Sequence, residues 1–500
     1  MLRIAPNTRP TVPELDGFAA WKHYLWFFYD AVGCVASLHE RFGKMVILRE
    51  RIPFRRSVRQ CIFVSGAEYS RQVLSDPETF NSGGVIIRGP KGSALNKMRR
   101  GLITVNGHKH RDQRKMMSPL FMPKAVREYY PAMVETVRKE LDDWQPGTTL
   151  DVFSRACRMA LLMSVKSLLP GEDSTAALRL AEATNELLDR SFSAGVLMFP
   201  LNVIGTPYYR LLKRAERLQE QALKLIDSRP RHPQDAVLML DRLVSYQLSN
   251  SHEISREDLA GQLVTMFAAT HETTPKAIAW TMFLLAQHPN ILAELHDELR
   301  AHCGDEPPSY EDLINLPLLN AVTKETLRIL PPAPLVVRRV RGSAMLGPLE
   351  VSPGDYVVVN HFGTHRDPEV FADPDQFRPE RWFDATPDNF EYLPFGAGPR
   401  TCIAKTMGLV TINLIVAMAT QRFRLSVAPH SRIDRSHLIT MAPKFGMPMR
   451  VKRHNGRFEA TPITGNVCRM VDLTRSDATT RQMILRMPER TVPTRKKVAA

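Results

Sequence analysis

Cysteine is scarce in this sequence, and its spacing excludes two kinds of site. Six cysteines are spread over 500 residues: Cys34, Cys61, Cys157, Cys303, Cys402 and Cys468. Because no two of them form a C-x-x-C pair, neither a zinc ribbon nor a thioredoxin-like redox site is expected. The number is also too small for the disulfide framework of a small secreted domain. The composition therefore predicts a protein of the reducing cytoplasm.

The sequence also lacks a long uncharged apolar run. Met1–Asp16 is polar and contains prolines, so it does not resemble a signal peptide. Asp30 interrupts the most apolar early segment, Tyr24–Leu38, and we predict no transmembrane helix. The aromatic residues of this segment either pack an amphipathic helix on the core, which is the interpretation that we favour, or touch a membrane surface.

Positive charge is concentrated near the end of the chain. The formal net charge is +15, and residues 451–500 contribute +7 of it, from 11 Lys or Arg and 4 Asp or Glu. Because so much of the excess lies in one tail, the basic isoelectric point does not indicate a nucleic-acid-binding fold. Binding of nucleic acid through Arg481–Lys497 stays open only as a side function.

Helical periodicity dominates the chain, and only short segments alternate as strands do. Strands are predicted near Met45–Leu48, Cys61–Val64, Leu335–Arg341 and Tyr356–Asn360, and long helices at Arg256–Gln287, Leu318–Leu330 and Ile403–Gln421. Residues 80–105 are rich in glycine and are predicted to form a long loop. We therefore predict a mainly α fold with a small β lobe (α+β). It comprises an N-terminal arm (1–20), one large domain (21–455) and a basic, partly disordered extension (456–500).

The strongest local signal is the segment Phe395–Ala404, which reads FGAGPRTCIA. Its two glycines allow a tight turn and a close approach of the backbone to a flat ligand. We expect Cys402 to open a helix, where backbone N–H groups and the helix N-terminus would stabilise a thiolate. The pattern suits a cysteine that binds iron beside an arginine, Arg400, that binds a carboxylate. An isolated cysteine, by contrast, would more often be an ordinary core residue.

This segment resembles the haem-binding loop of the cytochrome P-450 family, the haem-thiolate monooxygenases, whose pattern is F-x-x-G-x-R/H-x-C-x-G/A. All fixed positions are present, with Ala404 at the position where glycine is commoner. The resemblance implies that Cys402 ligates the iron of a haem b group and that Phe395 belongs to the cofactor site. It also implies the cytochrome P-450 fold, mainly α with a small β lobe.

Two further segments match the same family in the right order. Glu325–Arg328 (ETLR) resembles the E-x-x-R motif, and Phe377–Trp382 (FRPERW) resembles the segment whose arginine, here Arg381, completes a buried charge network with Glu325 and Arg328. Taken alone, each could be a surface ion pair of little consequence. Their order and their distances along the chain make the match specific.

A third segment, Ala269–Thr274 (ATHETT), resembles the family's oxygen-activation motif A-G-x-D/E-T-T/S. The resemblance implies that Glu272 and Thr273 deliver protons during oxygen activation. Thr270 stands where the family has glycine, and Pro275, which lacks an N–H, follows the motif and frees the carbonyl of His271. We therefore expect the helix to open locally here, through a π-bulge or a kink.

The resemblance also implies four partners for the two haem propionates. They are His110 and Arg114, one helical turn apart in the segment HRDQR, with Arg338 on a following strand and Arg400 beside the cysteine. Buried anions need such cationic partners. For His110 the alternative is a solvated helix histidine.

A monooxygenase is the activity that the resemblance implies: one atom of O2 is inserted into a lipophilic substrate such as a fatty acid, terpenoid or steroid-like molecule. Residues 80–105, 185–215, Phe267, Ala268 and Ala333–Val337 are expected to contact this substrate. Electrons would come from a separate donor, an acidic ferredoxin with its reductase, since Arg400 and Lys405 lie beside the cysteine.

Two alternatives remain beside the monooxygenase. One is a peroxide-driven or rearranging haem-thiolate enzyme, and the other is a haem-binding sensor without catalytic activity. Glu272 and Thr273 favour the monooxygenase over both alternatives, because neither alternative requires proton delivery to oxygen.

Overall fold

The fold is described from a computed structural model that covers residues 12–50, 59–83, 89–168, 174–191, 193, 195–196, 199–229, 239–250, 253–436 and 440–473. The predicted nucleic-acid contact, Arg481–Lys497, lies outside the described residues. The α-helices of the described residues are α1 Gly17–Tyr29, α2 Ala31–Phe42, α3 Ala67–Ser75, α4 Ala94–Met98, α5 Gly107–Met117, α6 Pro123–Asp142, α7 Val152–Leu168, α8 Ser174–Ser191, α9 Pro207–Asp227, α10 Met239–Ser249, α11 Arg256–Gln287, α12 Pro289–Cys303, α13 Tyr310–Ile314, α14 Pro317–Ile329, α15 His361–Thr364 and α16 Lys405–Arg422.

The strands form a small lobe beside these helices. They are β1 Glu14–Leu15, β2 Met45–Glu50, β3 Arg59–Val64, β4 Phe80–Ser82, β5 Thr149–Asp151, β6 Leu335–Val340, β7 Ala344–Leu346, β8 Leu349–Val351, β9 Tyr356–Asn360, β10 Arg424–Val427 and β11 Pro448–Lys452. One sheet has the order β1-β2-β3-β9-β6-β4, a second has β10-β11-β5, and β7 pairs with β8. The predicted mainly α fold with a small β lobe is confirmed.

The two most buried long helices, α11 and α16, form the centre of the molecule. α11 has 32 residues and is therefore about 48 Å long. A capping box fixes its first turn: Ser255 accepts a hydrogen bond from the Asp258 N–H, and the Asp258 carboxylate accepts one from the Ser255 N–H. Both helices are apolar around most of their circumference, the composition expected of helices surrounded by protein. α11 packs on α7, α8 and α16 and so carries its central residues into the interior.

Both ends of the domain differ from the predicted boundaries. β1 pairs with β2, and α1 begins at Gly17, so the described part of the predicted arm belongs to the fold. The chain also remains packed after residue 455, since Val467 and Val471 are buried and the Asp472 N–H donates to the Asp375 carbonyl. Backbone hydrogen bonds, a few buried apolar residues and one 3₁₀ turn, Asn466–Arg469, hold this segment, and it therefore shows no periodicity.

The segment predicted as a long loop, 80–105, contains two regular elements. β4 pairs with β6, with Ser82 opposite Arg338. α4 buries Ala94, Leu95 and Met98 and packs against α9 and α11. Residues 84–88 lie outside the described residues. The prediction of a long loop was therefore wrong for residues 80–82 and 94–98, because elements of three and five residues are too short to show a period.

The early aromatic segment forms α1, and its side chains divide between two environments. Tyr24, Trp26 and Phe27 pack on the core, and the Tyr24 hydroxyl donates to the Leu48 carbonyl. Phe28 and Tyr29 are exposed. Across the described residues, no helix combines the length and the apolar character needed to cross a membrane.

Candidate functional site

A tight loop positions Cys402 ahead of the core helix α16. The Cys402 N–H donates to the Phe395 carbonyl over 2.8 Å, and the Gly396 N–H donates to the Leu393 carbonyl over 3.0 Å. A single 3₁₀ turn, Gly398–Arg400, follows the two glycines. α16 begins only at Lys405, three residues after Cys402, so the expectation that the cysteine itself opens the helix was wrong.

The second glycine of the loop is required by a protein contact. Gly398 has φ +70°, and a Cβ atom there would lie 2.2 Å from the Leu74 carbonyl oxygen at the end of α3. An L-residue would therefore be strained and would also clash with α3. The close approach predicted for this glycine is thus an approach to α3.

The thiol of Cys402 is not activated by the loop alone. The side chain is accessible to solvent, yet enough protein surrounds it that loss of hydration is the largest effect on its pKa. The Ala404 N–H and the charges of Arg114 and Lys405 act in the opposite direction, but the thiol pKa stays above its usual value. The predicted stabilisation of a thiolate by a helix N-terminus is therefore too weak here to outweigh burial.

The four side chains predicted from the sequence to hold the propionates, one histidine and three arginines, meet beside the cysteine loop. His110 is buried, and burial together with the positive charges of Arg400, Arg114, Arg111 and Arg338 lowers its pKa to about 4. Burial, with a contribution from the charge of Arg400, lowers the pKa of Arg338 to about 10. Burial and the charge of Arg114 likewise lower the pKa of Arg400 to about 10. The three arginines therefore repel one another in a site of low hydration, and His110 beside them is neutral.

Among the described residues, no carboxylate pairs with this cluster. Arg114 donates to the Thr401 carbonyl over 2.9 Å, which links α5 to the cysteine loop. Arg400 donates to the Val105 carbonyl and the Asn106 side chain, while its buried Nε has no partner. Arg338 donates only to the Val337 carbonyl, over 3.2 Å. Because a buried cation needs an anion, this site fits a ligand with two negative groups, such as the propionates of haem.

The E-x-x-R motif forms a fully buried network on the other side of the loop. Glu325 and Arg328 have no solvent exposure and make a bidentate pair with N–O distances of 2.9 and 2.8 Å. Arg381 donates to Glu325 over 3.1 Å, and Trp382 and the Arg378 N–H donate as well. Burial alone would raise the pKa of Glu325, but the two arginines outweigh it and the pKa lies below its usual value. The geometry places together the three residues that the sequence predicted to form this network.

One residue that the sequence analysis missed connects this network to the cysteine loop. The Nε2 of His365 accepts a hydrogen bond from the Leu393 N–H over 2.7 Å, two residues before Phe395. The His365 carbonyl accepts from Arg328, and its Nδ1 faces the Arg328 carbonyl. Burial, followed by the charges of His361 and Arg328, lowers the pKa of His365 well below its usual range, so the ring is neutral. The sequence offered no signal for this role, because 28 residues separate the two partners.

The oxygen-activation motif lies in the middle of α11, where the helix stays α-helical throughout. The expected π-bulge is therefore absent from these residues, and a kink at Pro275 stays a prediction. Thr273 donates to the Ala269 carbonyl over 2.9 Å and Thr270 to the Met266 carbonyl over 3.0 Å. Both hydroxyls are thus bonded to the preceding turn of the helix.

The side chains of Glu272 and Thr273 make no hydrogen bond to each other and have separate partners. The Oε2 of Glu272 accepts hydrogen bonds from Lys276, one turn further along α11, and from the Thr440 hydroxyl. Burial raises the pKa of Glu272, but Lys276, Thr440 and His271 outweigh this effect, and the net pKa is below its usual value. Lys276 and Thr440 were missed from the sequence, although the i, i+4 spacing of Glu272 and Lys276 could have indicated the pair.

A tight loop that carries a cysteine, a cluster of arginines without a carboxylate partner among the described residues, and a core helix in which a glutamate adjoins a threonine define a cofactor-binding enzyme of the haem-thiolate class. The sequence model of the family "Cytochrome P450" matches residues 33–448. The chain belongs to the cytochrome P450 family, and it is a haem-binding monooxygenase of that family.

Relatives and solved structures agree with this assignment. The chain is 30% identical over 373 residues to cyclooctat-9-en-7-ol 5-monooxygenase of Streptomyces melanosporofaciens, covering 72% of this chain and 79% of that protein. It is 27% identical to pentalenene oxygenase of Streptomyces avermitilis, covering 75% and 84%. Its fold is similar to that of the retinoic acid-bound cyanobacterial CYP120A1, with a TM-score of 0.70, 22% identity and coverage of 84% and 94%.

Proposed function

We propose that this chain binds haem b with Cys402 as the iron ligand and with His110, Arg114, Arg338 and Arg400 around the propionates. The buried cation cluster that lacks a carboxylate partner among the described residues carries this proposal. Bound haem supplies the activation of O2 for insertion of one oxygen atom into a substrate, and an iron cation deprotonates a thiol that coordinates it. The chain's own residues hold the propionates, exclude water and, at Glu272 and Thr273, transfer protons.

The iron ligand is tested by the absorption spectrum of the reduced, carbon monoxide-bound protein. The parent should show the Soret band that is typical of cysteine-ligated haem, and Cys402→Ser should lose it. Cys468→Ser is the matched control, since Cys468 is also solvent-accessible but lies far along the chain, and it should keep the band. An unchanged band in Cys402→Ser would refute the assignment.

The substrate is proposed to be a lipophilic molecule, and within that class a cyclic terpenoid. Apolar side chains at Phe199, Leu201, Val203 and Ile204 are exposed before α9, in the segment predicted to cover the substrate. The names of two relatives refer to cyclooctat-9-en-7-ol and pentalenene. A screen of terpenoids, fatty acids and steroids for a shift of the haem spin state tests the proposal, which fails if only fatty acids or steroids produce the shift.

Electrons are proposed to come from a separate ferredoxin with its reductase. Lys405 is exposed three residues after Cys402 and can contact an acidic partner. Arg400 was expected to contribute to the same surface, but its guanidinium points inward to Val105 and Asn106. Lys405→Glu should slow reduction by an acidic ferredoxin and should leave reduction by dithionite unchanged. We also propose a cytoplasmic location, on the basis of six free cysteines.

A peroxide-driven activity is the second candidate, because the Glu272 carboxylate contacts Lys276 and Thr440 and not Thr273. Such an enzyme would form product from hydrogen peroxide as fast as from O2 and electrons. Product formation with hydrogen peroxide alone, measured beside the reaction with a ferredoxin, distinguishes the two activities. The monooxygenase is favoured, since an acid and a threonine, Glu272 and Thr273, are consecutive residues on α11.

A further inference from the structure

Two polar groups meet on one oxygen of Glu272. The Nζ of Lys276 lies 2.5 Å from Oε2 of Glu272 and donates to the Thr440 hydroxyl over 2.9 Å. The Thr440 hydroxyl in turn donates to the same Oε2 over 3.0 Å. The three groups form a closed triangle, and among the described residues the other oxygen, Oε1, has no hydrogen-bond partner.

Lys276 is unusual because it is a buried lysine inside the core helix. Only 8% of its side chain is exposed, and the residues that follow it on α11, from Ala277 to Ala286, are buried. An ammonium group removed from water is costly unless an anion lies against it. Glu272 supplies that anion, so the two charges depend on each other for their burial.

Thr440 connects this pair to a segment that runs beside the expected substrate contacts. The next residue, Met441, donates its N–H to the Pro332 carbonyl over 3.0 Å and accepts a hydrogen bond from Trp280 of α11 over 2.9 Å. Pro332 directly precedes Ala333–Val337. The position of Thr440 is therefore fixed from two sides, by α11 and by the segment before β6.

We propose that Lys276 and Thr440 are positioning residues for Glu272, which hold Oε2 in place and leave Oε1 for proton transfer. The inference rests on the proposed role of Glu272 in proton transfer. Oε2 is held by two donors, so a proton can be taken up and passed on only at Oε1. The groups that face Glu272 are His271 on its own helix, Asp189 on α8, Cys157 on α7, Lys276 and Thr440.

The first test compares Lys276→Met with Lys276→Arg and measures product formed per electron consumed, with hydrogen peroxide as the other product. Loss of a positioned proton donor can cost about 100-fold, and we expect Lys276→Met to lower product per electron by about 10-fold or more. Lys276→Arg keeps the charge and should restore most of the coupling. Thr440→Val should have a smaller effect in the same direction.

The pH profile separates positioning from a merely structural role. Without Lys276, burial dominates and raises the pKa of Glu272, so coupling in Lys276→Met should fall as the pH is lowered from 8 to 6, while the parent stays constant. Lys139→Met is the matched control, because Lys139 also lies four residues after a glutamate, Glu135, on a helix, but 70% of its side chain is exposed. This control should leave both coupling and its pH dependence unchanged.

A double-mutant cycle gives a readout that does not depend on catalysis. Urea unfolding of Lys276→Met, Glu272→Gln and the double variant should show strong non-additivity, since removing either charge leaves the other buried without a partner. Additive effects, or parental coupling and pH profile in Lys276→Met, would overturn the inference. A parent that shows no cysteine-ligated haem band would instead refute the proposed function, while the cycle would still report on the Lys276–Glu272 pair.

Discussion

Replacement of Glu325 by alanine should destabilise the protein and also deplete it of haem. Glu325 accepts five hydrogen bonds from four residues, and neither it nor Arg328 is exposed to solvent. In Glu325→Ala, Arg328 loses the carboxylate that it pairs with, and its uncompensated buried charge favours a shift of the guanidinium toward water. Removing one partner of such a pair costs about 3–5 kcal/mol, which is a large part of the total stability of about 5–15 kcal/mol that is typical of proteins.

The haem effect follows from the connection through His365. Arg328 donates to the His365 carbonyl, and the His365 ring accepts from the Leu393 N–H at the start of the cysteine loop. If Arg328 shifts toward water, His365 loses its anchor and the loop that carries Cys402 loses one of its fixed ends. We therefore expect a low ratio of bound haem to protein in Glu325→Ala, measured by the pyridine haemochrome assay.

The matched control is Glu135→Ala on α6. Glu135 also pairs with an arginine three residues later, Arg138, but at 3.7 Å and with both side chains about half exposed. An exposed pair of this kind contributes about 0–1 kcal/mol. The free energy of unfolding is measured by urea titration of tryptophan fluorescence. Glu325→Ala should be less stable than Glu135→Ala by about 2 kcal/mol or more, which is the smallest difference between the two ranges given above. If Glu325→Ala does not accumulate, Glu325→Gln supplies an intermediate value; equal stability and full haem content in the two alanine variants would refute the reasoning.

Three other perturbations test the remaining parts of the site. Thr273→Ala should still consume electrons but release hydrogen peroxide in place of product, and equal product per electron in the variant and the parent would place the proton pathway elsewhere. Arg338→Leu should weaken haem binding by about 10-fold or more, yet should stabilise the haem-free protein against urea, because a buried cation without a carboxylate partner is removed. Burial lowers the pKa of His361 to about 4. In the unfolded chain this histidine has a pKa of about 6.5, so between these two values the unfolded state binds more protons. The contribution of His361 to the free energy of unfolding should therefore fall by about 3 kcal/mol as the pH drops from 6.5 to 4. His361→Gln should flatten this pH dependence, and an unchanged slope would contradict the assignment.

Long, strongly patterned elements could be predicted from the sequence, whereas packed irregular segments could not. The bounds of α11 and β9 agree with the predicted Arg256–Gln287 and Tyr356–Asn360, because apolar residues with a clear period mark both. The segment after residue 455 has no period, and its position depends on tertiary contacts such as the hydrogen bond from the Ile433 N–H to the Thr464 carbonyl. Contacts of this kind join backbone N–H and carbonyl groups. Because almost every residue has both groups, such contacts leave no recognisable pattern in the sequence.

In the site, too, residues that belong to a motif or lie one helical turn apart could be predicted to pair, whereas partners far apart along the chain could not. Glu325, Arg328 and Arg381 could be placed together from motifs, and the structure brings them together. The pairing of Lys276 with Glu272 was accessible from helical spacing, but the third member of that triangle, Thr440, lies 164 residues further along the chain. The high pKa of the Cys402 thiol was not accessible either, since the balance between burial and nearby charges depends on the packed structure.

The six-stranded sheet joins segments that lie far apart along the chain, and this has a consequence for synthesis on the ribosome. β3 pairs in parallel with β9, with Cys61 opposite Tyr356, so 295 residues separate two hydrogen-bonded neighbours. At translation rates of about 5–20 residues per second, β9 emerges roughly 15–60 s after β3. During that interval one edge of β3 has no partner strand, and an open edge can pair with other chains. Slower elongation upstream of β9 should therefore increase aggregation of the nascent chain, whereas slower elongation after residue 360 should have little effect.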